Sequence, residues 1–219
     1  MSKFGQMKDI AGFLGVILML ATFILLIIKR RNLGKNIDVF ILAVGTITLV
    51  ETYGTYWRYM DAEFNSYPVY VIGVSFILFL LFLLYLHFTL QQKRLRRLSV
   101  FFMITFLINY ILSAIFFETF LTKPPLNVYF GGMLMVTASI VLVLMETFNS
   151  EEIFSLQHYF PFWACIYIMV TYLGVTPLLI ARFTAGQLNS TVFYLILLLV
   201  NILGYSVLLV GIFQGKNEN

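Results

Sequence analysis

Apolar residues fall in seven long runs, at about residues 10–28, 37–57, 68–90, 98–117, 128–148, 160–180 and 191–213, and short connections between them hold nearly all the charge. A helix needs about 20 mainly apolar residues to cross a hydrocarbon layer roughly 30 Å thick, a length each run meets. Backbone polar groups cannot be left unpaired in lipid, so the runs are predicted to be helices. The expected fold is all-α: a polytopic membrane bundle of seven transmembrane helices in a single domain over residues 1–219, with no soluble domain. The first run is too long for the core of a signal peptide, and no small-residue cleavage site follows it. Lys123-Pro124-Pro125 closes the fourth run, because proline cannot continue a helix.

Composition agrees. The 219 residues are 61% hydrophobic and only 11% charged, a balance that a water-soluble domain could not cover with polar surface. A net charge of +4 would point a soluble protein toward nucleic acid. Here the cations sit between apolar runs, where they orient a membrane protein, so the bilayer is the expected partner and nucleic acid is not. Lys29-Arg30-Arg31 with Lys35, and Lys93, Arg94, Arg96 and Arg97, follow the first and third runs and are expected on the cytoplasmic side. That puts the amino terminus outside and the carboxyl terminus inside. Tyr53, Tyr56, Trp57, Tyr59, Tyr67 and Tyr70 gather at the outer ends of the second and third runs as an aromatic belt. The single cysteine, Cys165, excludes an intrachain disulfide, and no zinc-ligand spacing occurs, so no metal or cofactor is expected.

Polar residues inside the runs carry the candidate chemistry, because a charge at membrane depth costs about 2.5–3.5 kcal/mol on insertion scales. Glu51 lies in the outer third of the second run, with Thr48, Thr55 and Arg58 at helical spacing on its face. Arg58 either folds back onto Glu51 as a structural pair or joins it in a polar cavity. In the seventh run Asn201, Gly204, Tyr205 and Leu208 share one face, with Gly211 a turn later, and an amide and a phenol must turn away from lipid. Close helix packing through the glycines explains that face as well as a ligand does. By depth, Glu51, Arg58, Asn109, Tyr172, Asn201 and Tyr205 could converge on a cavity open to the outside. Pro177 frees a carbonyl near Leu173 and is a hinge candidate. Glu146, His87 and His158 lie at inner helix ends, where solvent makes them inexpensive.

No enzyme is expected. The last run holds no lysine for a retinal Schiff base, and there is neither a His-Glu-x-x-His pair, nor two intramembrane aspartates, nor a Gly-rich phosphate loop.

Several stretches carry a resemblance: Leu49-Val50-Glu51; Met145-Glu146-Thr147-Phe148-Asn149-Ser150-Glu151-Glu152; Phe162-Trp163 with Tyr172-Leu173-Gly174-Val175-Thr176-Pro177; and Asn201-Ile202-Leu203-Gly204-Tyr205 leading to Gly211-Ile212-Phe213. Together they resemble an uncharacterised family of small seven-span proteins of Bacteroidota-type bacteria, similar in layout to the seven-span amino-terminal sensor region of some histidine kinases. The resemblance implies a bacterial inner (cytoplasmic) membrane location and a sensory or regulatory module. Its kinase, if any, would be a separate chain. The cytoplasmic surfaces for lipid or partner would be Lys93, Arg94, Arg96 and Arg97, and Glu151 with Glu152. A small-molecule transporter or permease and a structural or assembly subunit are the alternatives, and a homo-oligomer is compatible with each.

Overall fold

The computed structural model describes residues 3–61, 64–123, 125–183 and 189–215, with the side chains of residues 3–11, Arg58, Ser190 and Thr191 outside the description. Seven helices carry the chain: α1 Lys3–Lys29, α2 Ile37–Met60, α3 Tyr67–Thr89, α4 Lys93–Phe116, α5 Leu126–Phe148, α6 Phe160–Phe183 and α7 Ser190–Gln214. All seven are long and apolar enough to span a membrane, and no strand occurs among the described residues. Their outer faces are hydrocarbon. Along α4, Phe101, Ile104, Ile108, Ile111 and Ile115 recur every three to four residues and are all exposed. A stripe of that size facing water would drive aggregation, whereas in lipid it is an ordinary surface. The chain is a multi-pass membrane protein.

Two boundaries differ from expectation in ways that matter. Helix α4 begins at Lys93, so the basic residues up to Arg97 form its first turns and not a connecting loop. Helix α6 continues through Pro177 to Phe183 and carries Arg182 in its last turn.

Neighbouring helices pack in the order α1–α2–α3–α5–α6–α7 and back to α1, closing a ring of six, while α4 lies outside it against α3 and α5. Helix α4 turns inward through Ser99, Phe106 and Ser113, spaced seven apart, and Ser113 Oγ accepts a 3.0 Å hydrogen bond from Asn127 Nδ2 of α5. Helices α6 and α7 approach most closely at glycines. A Cβ on Gly204 would collide with Thr171 Oγ1, and one on Gly211 with the Trp163 side chain. The close-packing account of these two glycines therefore holds, and they face the bundle interior.

Two helices carry π turns at mid-length, Gly73–Leu78 in α3 and Met169–Leu173 in α6. The second ends four residues before Pro177, whose missing N–H leaves the Leu173 carbonyl without its usual partner. Nearby, the Tyr172 carbonyl accepts from Thr176 Oγ1 at 2.9 Å and from the Tyr129 hydroxyl at 3.4 Å, so side chains compensate the irregular backbone. Below this level Phe40 contacts the rings of Phe82, Tyr85, Phe160 and Tyr167 at centroid distances of 5.0–6.1 Å. All five side chains are almost fully buried, forming an aromatic plug across the ring.

Candidate functional site

The π turns position a cavity of about 720 Å³ in the half of the bundle that holds the α2–α3, α4–α5 and α6–α7 connections. Its walls come from the halves of α1, α2, α3, α5, α6 and α7 at that end, and its residues run from Met19, Ser75 and Tyr205 at mid-depth to Asn65, Tyr67 and Pro125 at the helix ends. The plug separates it from the basic end, because Phe40, Phe82 and Tyr167 lie one or two turns farther along α2, α3 and α6 than the deepest lining residues. Gly15 of α1 faces the cavity over open space, with nothing within 4 Å of where a Cβ would stand.

Of the residues singled out from the sequence, Glu51, Tyr172, Asn201 and Tyr205 line this cavity. Tyr172 and Tyr205 are 5% and 1% exposed, and their hydroxyls stand close to that of Tyr167 but make no hydrogen bond of good geometry among the described residues. The Thr171 hydroxyl, within the π turn of α6, and the Tyr167 hydroxyl just below likewise make none. The Tyr167 and Tyr205 rings lie 5.4 Å apart, so the floor is a compact group of phenols. Glu51 is different. Its Oε2 accepts a 2.8 Å hydrogen bond from the Tyr70 hydroxyl of α3, which joins two walls.

One expectation turns out otherwise, and one falls outside the described residues. Asn109 does not reach the cavity, because it sits on α4 outside the ring and packs against Gly131 of α5, where a Cβ would stand 2.5 Å from Nδ2. The side chain of Arg58 lies outside the described residues, so its pairing with Glu51 does too. Pro177, the hinge candidate, lies inside α6 just after the π turn, whose last residue, Leu173, carries the carbonyl that the proline leaves without its usual partner. The cation that does line the cavity is Arg182, whose guanidinium stands 5.8 Å from the centre of the Phe193 ring of α7. Arg182 reads in the sequence as a connecting-loop residue, and only the extension of α6 past Ile180 brings it to the wall.

At the opposite end Lys93, Arg94, Arg96 and Arg97 are exposed, as is Glu151, while Glu152 is half-buried. Glu146, read from the sequence as a solvated helix end, has a defined task. Its two oxygens accept from the backbone N–H groups of Gln91 at 2.9 Å and Gln92 at 2.6 Å, capping α4 from α5. A hollow of about 300 Å³ beside it is lined by Gln92, Glu146, Glu152 and Tyr159. Burial, with Glu152, Cys165 and Glu146 nearby, pushes the Tyr159 phenol up to about 12. Among the described residues no three His, Cys, Asp or Glu side chains come together as a metal site. No protein family, curated protein or solved structure matches the chain.

Proposed function

We propose that the chain is a ligand-sensing module of the bacterial inner membrane that passes its signal to a separate membrane-bound partner, a histidine kinase being the partner that the layout suggests. The observation that carries this is the one-ended cavity with three unpartnered, nearly fully buried hydroxyls on its floor. A buried hydroxyl left unpaired costs about 1–3 kcal/mol, a cost that a bound ligand or water can relieve. The π turn of α6 contributes Thr171 and Tyr172 to that floor, and such turns are common at functional sites. A shift there would reach the opposite end through Tyr167 and Phe40, which touch in the plug. With the basic clusters facing the cytoplasm, the cavity opens outward and the plug stands between it and the cytoplasmic surfaces.

A transporter is the second reading. Two irregular helices meeting at a mid-depth site are a feature of secondary transporters, and α3 and α6 both contribute π-turn residues to this cavity.

Occlusion tests the proposal. Gly15→Phe adds a ring at a cavity-lining position where a Cβ would meet nothing within 4 Å, so it should fill part of the cavity without unfolding the bundle. In the native host, gentle-detergent purification of the wild-type chain should recover a second membrane protein carrying a signalling domain. Gly15→Phe should leave that complex intact and lock its output in one state. A chain that purifies alone, with cross-links from α1 and α7 only to itself or lipid, overturns the sensor reading. Uptake into proteoliposomes abolished by Gly15→Phe favours the transporter.

A further inference from the structure

We infer that the cavity takes an uncharged amphiphile: a mainly hydrocarbon molecule of about the size of a medium-chain lipid, ending in a small hydroxyl or carbonyl head that sits among the tyrosines of the floor. This inference rests on the cavity being a ligand site, as proposed above.

The size comes from the cavity. At about 720 Å³ it falls within the roughly 300–1,000 Å³ of small-molecule pockets, and it is far larger than the ~30 Å³ share of one water. The walls argue against water as its only content. The lining is mixed: Glu51, Ser75 and Asn201 can hold water, but Phe13, Val16, Met19, Leu179, Leu197 and Leu198 form an apolar stretch from α1, α6 and α7, and a water against that stretch lacks the two to four polar partners that hold it. Hydrocarbon has no such need.

The head group follows from the floor. Tyr172 and Tyr205 each bring a neutral hydroxyl, and Thr171 a third, all buried and without a hydrogen bond of good geometry among the described residues, the two phenols meeting only the Tyr167 hydroxyl beside them. Each can give one hydrogen bond and accept others, which suits a ligand oxygen of either type. A hydrogen-bonding site also rejects a molecule that lacks the polar head, because the hydroxyls are then left unpaired in an apolar surrounding.

Net charge on the ligand is disfavoured by the balance of the wall. The described lining carries one carboxylate, Glu51, and one guanidinium, Arg182. Glu51 already accepts from Tyr70, and Arg182 already lies near the Phe193 ring. An ion entering the cavity would add an uncompensated charge at membrane depth, where the low dielectric makes it expensive. A neutral head avoids that cost and still satisfies the phenols.

Three probes with one chain length and different heads separate the classes: dodecan-1-ol, dodecylamine and dodecanoate. Binding to the full chain in phosphatidylcholine nanodiscs is measured against empty nanodiscs, which removes simple partitioning. The alcohol should bind saturably and at least tenfold more tightly than either ion. Tyr172→Phe and Tyr205→Phe should each weaken it by about fivefold to tenfold, the value of one hydrogen bond, and Gly15→Phe should abolish saturation. Tightest binding of the amine or the carboxylate overturns the uncharged class, yet leaves the cavity a ligand site. Alcohol binding unchanged in both phenylalanine variants overturns the placement of the head. If none of the three saturates, the amphiphile proposal falls, while an altered output of Gly15→Phe in the host would still uphold the cavity as a sensor.

Discussion

The Tyr70 hydroxyl of α3 donates to Glu51 Oε2 of α2 at 2.8 Å, so the carboxylate deepest in α2 is also a tie between two walls of the cavity. Hydrogen bonds between membrane helices average about 0.6 kcal/mol and reach about 1.7. Tyr70→Phe should therefore lower stability by about 1 kcal/mol in detergent unfolding. Glu51→Gln keeps an acceptor for the Tyr70 hydroxyl and should cost no more, whereas Glu51→Ala removes that acceptor together with its packing and should cost more than either. A double-mutant cycle that gives no coupling between positions 51 and 70 would sink the tie.

Removing the floor hydroxyls should have the opposite sign. Tyr172→Phe and Tyr205→Phe delete buried groups that find no partner among the described residues, so each should stabilise the ligand-free protein, by about 1 kcal/mol. Thermal unfolding without added ligand measures this. Destabilisation by both variants would mean that the hydroxyls are satisfied in the resting protein.

The α6–α7 contact should be intolerant of volume. Gly204→Val would push against Thr171, and Gly211→Val against Trp163, at positions with no room for a Cβ. Overpacking typically costs about 1–3 kcal/mol, and both variants should fall in that range or above it. Wild-type stability in either one would show that the two helices are farther apart than described.

Glu146→Ala should free the start of α4. It removes both acceptors from the Gln91 and Gln92 N–H groups, a loss comparable to deleting a helix cap, about 0.5–2 kcal/mol. Hydrogen exchange at these two amides should quicken while exchange in α2 stays unchanged. Equal rates in wild type and variant would refute the cap.

Orientation is tested separately. If the basic residues at positions 29–35 and 93–97 hold their end in the cytoplasm, a fluorescent reporter fused after Asn219 should glow and an exported phosphatase fused there should be inactive. The reverse pattern would invert the cavity's exposure.

Depth was legible in the sequence and azimuth was not. Run length gives each residue's height in the bilayer, which is why Glu51, Tyr172, Asn201 and Tyr205 were found together. Asn109 has the right height but stands on the helix outside the ring, a fact set by packing among α3, α4 and α5. Arg182 was lost to a boundary, since a cation near Phe183 resembles a loop residue until the helix is seen to include it. The π turn of α6 had one indirect sign, Pro177 four residues beyond its end, and that of α3 had none. The work of Glu146 depends on the meeting of α5 with the start of α4, which no local pattern encodes.

The ring closes where α7 meets α1. Helix α7 supplies Asn201 and Tyr205 to the cavity and covers Thr171 through Gly204. The polar floor is therefore walled from lipid on that side by the seventh helix, and loosening the α7 contacts would turn an internal cavity into a lateral opening to the bilayer.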